Sequence, residues 1–121
     1  MARQQDTGAA GEQIARRFLE EKGYAILEQN WRYRRAEVDL IARHGKTLVF
    51  VEVKTRSSTA FGEIEDFVTR HKESLLAAAA HAYIDLIDHD WEVRFDIIAV
   101  LYLDEKSYSV KHLEDAFFPG L

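Results

Sequence analysis

The chain has 121 residues, of which 47% are hydrophobic and 31% charged, enough apolar material for one ordinary core and too much for general disorder. It contains no cysteine, which excludes disulfides and thiolate metal sites, and no apolar run near the roughly 20 residues that span a bilayer. The formal net charge is −5, yet the stretch from Trp31 to Lys72 holds a basic excess that could face phosphates. A single domain, with its core between about residues 8 and 117, is expected, in a soluble cytoplasmic protein whose polar N-terminus is unlike a signal peptide.

A first helix is predicted from Gly8 to Lys22, with Ile14, Ala15, Phe18 and Leu19 on one face and Gly23 ending it. An extended stretch follows from Tyr24 to about Arg34. Two strands, Glu37–Arg43 and Thr47–Lys54, flank the hairpin break His44-Gly45-Lys46. After a Ser/Thr-rich loop (Thr55–Thr59), apolar spacing predicts a long helix from about Glu65 to Ile87, with His71 on its apolar side. Val93–Tyr102 reads as a strand and Tyr108–His112 as a weaker one. The order α-β-β-β-α-β-β indicates a mixed sheet flanked by helices.

The hairpin carries the chemistry. A two-residue loop at Gly45-Lys46 would pair Leu40 with Val51 and Val38 with Val53, forming one apolar face with Ala42 and Val49. On the opposite face Ile41 would meet Phe50, Asp39 would meet Glu52, and Glu37 would meet Lys54. Side chains across a ladder lie about 4.5–5.5 Å apart at Cβ, and carboxylates so close repel unless a cation or proton separates them. Mg²⁺ or Mn²⁺ suits such a site: Mg²⁺ takes one or two carboxylates and keeps water and phosphate as its other ligands. Asp39 and Glu52 would supply the carboxylates and the Val53 carbonyl a third oxygen. Lys54, on the face of Glu52, would orient a water and offset charge building on a phosphate. Alternating Glu and Lys is also ordinary on a solvated strand, but these acids emerge from an apolar hairpin, and buried acids need partners.

Glu12 lies at the edge of the first helix's apolar face, where a solvated first-turn acid is the simpler reading. His81, His89 and His112 show no mutual metal-binding spacing. Trp31 and Tyr33, interleaved with Arg32, Arg34 and Arg35, suit either base stacking or core packing.

Gly11-Glu12, Gly23-Tyr24, Asn30-Trp31-Arg32, Glu37-Val38-Asp39-Leu40-Ile41-Ala42 and Phe50-Val51-Glu52-Val53-Lys54-Thr55-Arg56 together resemble the YraN family. Phe61-Gly62, Lys72, Arg94-Phe95-Asp96 and Ala116-Phe117 extend the resemblance over nearly the whole chain. That family is identified as a member of the PD-(D/E)xK nuclease superfamily and is similar to archaeal Holliday-junction resolvases. The resemblance implies a restriction-endonuclease-like fold and a Mg²⁺- or Mn²⁺-dependent nuclease acting on DNA, with branched or otherwise non-canonical structures among the expected substrates. It implies Asp39 as first acid, Glu52 as second, Lys54 as the lysine and Glu12 as a supporting helix glutamate. Where the family pattern Gly-Glu-x-Asp has glycine, this chain has Ala36. Arg32, Arg34, Arg35, Arg56 and Lys72 are the expected phosphate contacts. A non-catalytic nucleic-acid-binding or adaptor protein on the same fold, or a protein–protein module, is the competing expectation. A homodimer or a partner protein is compatible with each.

Overall fold

The computed structural model describes residues 4–57 and 69–117. The expected motif Phe61-Gly62, the end of the Ser/Thr-rich loop and the predicted helical start at Glu65 lie outside the described residues.

Helix α1 (Gln4–Glu21) precedes three strands, β1 (Ala25–Tyr33), β2 (Ala36–His44) and β3 (Thr47–Arg56). Helix α2 (Arg70–Ile87) then leads to β4 (Val93–Asp104) and β5 (Ser107–Leu113). Gly23 takes a φ of 91°, and the Gly23 and Tyr24 amides donate back to Glu20 and Leu19, closing α1 in a Schellman motif. Tyr24 and Leu19 are both buried in one cluster, the apolar contact that accompanies this motif. Thr69 caps α2 by accepting the Lys72 amide at 3.2 Å, worth about 1 kcal/mol.

The sheet runs in chain order, β1 to β5. All neighbours are antiparallel except β3 and β4, which are parallel and joined through α2. A parallel pair needs a crossover, and the α2 connection supplies it. The molecule is therefore a mixed α/β domain, a five-stranded sheet flanked by two helices in a restriction-endonuclease-like arrangement.

The hairpin register is as the loop length predicts. Leu40 pairs with Val51, Ile41 with Phe50 and His44 with Thr47, around Gly45 at a φ of 62°. Leu40, Ala42, Val49, Val51 and Val53 pack on Ile14, Ala15 and Leu19 of α1. Ile41, Phe50 and Leu48 pack on Leu76, Ala79, Ala80 and Tyr83 of α2.

Val38 corrects the expected faces: it belongs to the α2-side cluster, with Ile41, and not beside Leu40. The side-chain alternation of β2 thus changes phase between Val38 and Ile41. Opposite this step, Asn30 of β1 has a φ of 53° between the Gln29–Leu40 and Trp31–Val38 pairs. One further expectation is revised, and of two open readings one is observed. His71 is exposed rather than apolar-facing, since the buried stripe of α2 runs through Leu76, Ala79, Ala80 and Tyr83. Trp31 packs against Tyr83, ring centroids 5.1 Å apart, so its ring serves the core.

Candidate functional site

The paired ladder of β2 and β3 ends at Leu40–Val51, one pair short of Asp39 and Glu52. Beyond it β3 continues beside β4 to Arg56 while β2 diverges. The Val53 amide is left without its hairpin partner, and Asp39 Oδ2 accepts it at 2.7 Å. The expected cross-strand pairing of Asp39 with Glu52, and of Glu37 with Lys54, is therefore replaced by a fork with Asp39 on one branch and Glu52 on the other.

Glu52 is only 4% exposed, an unusual place for a carboxylate. Its Oε1 receives two ammonium groups: Lys72 Nζ at 2.5 Å from α2, and Lys54 Nζ at 3.2 Å from the same strand. Its Oε2 is buried and has no hydrogen-bond partner among the described residues. An orphan carboxylate oxygen of this kind is costly to bury, and it marks a position that a cation would satisfy.

Electrostatics follow from this packing. Burial pushes the Asp39 carboxyl up to about 7, with the neighbouring charges of Glu52 and Glu12 adding to the rise and the Val53 amide and Lys72 opposing it. Burial lowers Lys54, despite the attraction of Glu52. Lys72 is raised: burial opposes its charge, but the hydrogen bond and charge of Glu52 outweigh that. The influence of Glu12 on Asp39 brings the first helix into the site. Gly11 permits this approach, because a Cβ there would lie 1.8 Å from Thr55 Oγ1 on β3. A larger residue there would force Thr55 or the helix to shift.

A cleft of about 380 Å³ opens on the α2 side, lined by Arg35, Ala36, Glu37, Asp39, His71, Lys72, Leu75 and Leu76. Two of the expected phosphate-contact residues, Arg35 and Lys72, stand on it. Arg32 instead pairs with Glu37 at 2.8 Å on the surface. Arg34 has a φ of 56° and lies over the Tyr33 ring. Arg56 donates to the Thr55 carbonyl at 2.8 Å. Among the described residues, no group of three His, Cys, Asp or Glu side chains converges closely enough to hold a metal by itself. At the fork the carboxylates are Asp39 and Glu52, and the charge of Glu12 reaches Asp39. Two such acids could hold a hard cation that keeps most of its water.

One buried acid has no role in the sequence reading. Asp96 of β4 is fully buried and accepts Arg94 through both oxygens at 2.8 Å, His112 Nε2 at 2.7 Å and the Asp115 amide at 3.0 Å. Burial would raise this carboxyl, but the three partners outweigh it and hold it below the usual range. Arg94 also donates to Tyr24 Oη at 2.6 Å, so the network ties β4 and β5 to the segment after α1. The signal available in the sequence was Arg94 and Asp96, two residues apart on one face of an apolar strand.

Fold and site define a restriction-endonuclease-like α/β domain with a buried carboxylate–lysine centre at the fork of its hairpin. The family described as Uncharacterised protein family UPF0102 matches residues 11–100, and the chain belongs to it. It is 49% identical over 118 residues to the UPF0102 protein FP2501 of Flavobacterium psychrophilum, covering 98% of each chain. It is 46% identical over 119 residues to the UPF0102 protein CT2262 of Chlorobaculum tepidum, covering 93% of this chain and 92% of that one. A UPF0102 protein of Bacteroides thetaiotaomicron is 42% identical over 121 residues, covering 100% and 99%. Among the described residues no helix is long and apolar enough to cross a membrane.

Proposed function

We propose that this protein is a Mg²⁺- or Mn²⁺-dependent nuclease that hydrolyses phosphodiester bonds in DNA, with branched or otherwise irregular DNA as the first substrate class to test. The observation that carries this reading is the Glu52 carboxylate, buried at the hairpin fork with one oxygen on two lysines and the other unpartnered. The pattern Asp39, Glu52, Lys54 resembles that of the PD-(D/E)xK nucleases of the YraN and archaeal resolvase kind, and the fold is compatible with it.

Asp39 and Glu52 would hold the cation, with the Val53 carbonyl as a further oxygen and Glu12 supporting the site from α1. A bound divalent cation would supply Lewis-acid polarisation of the phosphate and a lowered pKa for water. Lys54 would donate to a phosphate oxygen as negative charge builds during attack of water on phosphorus and departure of the sugar oxygen. Arg35 and Lys72 on the cleft would receive the flanking phosphates, with Arg32, Arg34 and Arg56 as outlying contacts. A cytoplasmic setting and a homodimer, which would present two sites to two strands, belong to the same reading.

A second reading is favoured by the net charge of −5 and by the lack of a complete protein ligand set among the described residues. In it the chain is a non-catalytic nucleic-acid-binding or adaptor protein that relies on a partner protein.

Cleavage of labelled duplex, single strand, flap, four-way junction and RNA in Mg²⁺ and Mn²⁺ tests the proposal. Activity lost in folded Asp39→Asn and Glu52→Gln variants supports a nuclease and names its substrate. Salt-dependent DNA binding without cleavage, unchanged in Glu52→Gln, supports the second reading.

A further inference from the structure

We infer that Lys72 is an exchangeable counter-ion of the metal site, a positioning residue that holds Glu52 while no divalent cation is bound and is displaced into the cleft when one binds. The inference rests on the reading of Glu52 as a metal ligand and adds a role for a residue on a different element.

The geometry points to competition. Lys54 and Lys72 both contact Glu52 Oε1, at 3.2 and 2.5 Å, while Oε2 is buried without a partner. A divalent cation on this carboxylate would lie within a few ångströms of both ammonium groups. Like charges that close repel strongly at the dielectric of a protein interior, so at least one lysine must withdraw. Lys54 is poorly placed to do so: it sits two positions from Glu52 on the same strand and its side chain is 19% exposed. Lys72 is the mobile partner. It comes from the first turn of α2, its side chain is 33% exposed, and it already lines the cleft with Arg35 and His71. A lysine stem is long and flexible enough to swing its charge toward water or a phosphate without moving the helix.

The exchange has a chemical use. Before the cation arrives, Lys72 neutralises part of a buried carboxylate that would otherwise be costly. Afterwards the same charge stands on the cleft wall, where a substrate phosphate would need it. Lys72 thus joins the expectation of a phosphate contact to its observed contact with Glu52.

The test is Mn²⁺ affinity, read from the paramagnetic resonance signal of free Mn²⁺ in the absence of nucleic acid. Wild type would be compared with Lys72→Met, Lys72→Gln and Lys72→Arg, each checked for folding by thermal unfolding. If Lys72 competes with the cation, the Met and Gln variants bind Mn²⁺ about tenfold or more tightly than wild type. The Arg variant, which keeps the charge, returns toward wild-type affinity. A merely structural lysine would give unchanged or weaker binding when removed. Equal or weaker affinity in both neutral variants, with wild type binding normally, overturns the inference and leaves the metal site standing. Absence of Mn²⁺ binding in wild type and all variants overturns both.

Discussion

Asp39 Oδ2 accepts the Val53 amide at 2.7 Å at the point where the β2–β3 ladder stops. A side chain thus takes the place of the next main-chain acceptor, and the two strands part just where two acids are carried on neighbouring branches. The fork keeps Asp39 half-buried beside the cleft and Glu52 buried between β3 and α2, which gives the two carboxylates different environments. Several consequences can be measured.

Asp39 gives the site a pH dependence. Its carboxyl is pushed from 3.8 to about 7, so the folded state favours the protonated form. Stability from this group is full below the unfolded value and is lost as pH rises through about 7. A divalent cation favours the charged form and opposes that loss. Stabilisation by Mg²⁺ in thermal unfolding should be larger at about pH 8 than at about pH 5.5, with protons released on binding near the lower pH. Without metal, Asp39→Asn, which keeps the acceptor for Val53, should raise the melting temperature at about pH 8 by roughly 2–8 °C.

Glu52→Gln should separate stability from function. Removing this charge leaves Lys54 and Lys72 facing each other without their acid. Loss of one partner from a fully buried pair costs about 3–5 kcal/mol, but these lysines are partly exposed and can turn to water. A loss of about 1–2 kcal/mol in urea unfolding is expected, with metal binding and cleavage abolished.

Gly11→Ala should lower stability by about 1–3 kcal/mol, because the new Cβ would strike Thr55 Oγ1 and lie 2.8 Å from Thr55 Cβ. The loss should shrink when Thr55→Gly is introduced as well, and the coupling in a double-mutant cycle would measure the contact. Unchanged stability in Gly11→Ala would show that α1 can withdraw from β3 freely.

Asp96→Asn should cost about 2–4 kcal/mol, since Arg94 and His112 would lose a buried anionic acceptor. Mn²⁺ affinity should remain within about twofold of wild type, because this network lies on the α1 side of the sheet and Glu52 meets α2. Titration of Asp96→Asn and Glu52→Gln by calorimetry and denaturant checks the division.

Much of this arrangement is legible in the sequence where local rules suffice. Gly45 fixes a two-residue loop, the loop fixes the register, and the register puts Leu40, Ala42, Val49 and Val51 on α1 as their alternation requires. The rules fail where a side chain replaces a main-chain bond. Period-two alternation places Val38 with Leu40 and Asp39 across from Glu52, but the ladder ends before that pair and β2 changes phase. Lys72 is read from sequence as a basic residue on a helix, and only the β3–α2–β4 crossover brings it onto Glu52. Asp96 is hidden in the same way: its partners His112 and the Asp115 amide come from a later segment that one strand's pattern does not reveal.

The proposed nuclease requires Glu52 and Asp39 to form one divalent-cation site. Calorimetric titration of Mn²⁺ into the wild-type protein and into folded Glu52→Gln, without nucleic acid, addresses it most directly. If the two acids share one cation, wild type binds one Mn²⁺ per chain and Glu52→Gln binds none. Equal binding by the two proteins, or no binding by wild type while its fold is intact, would contradict it.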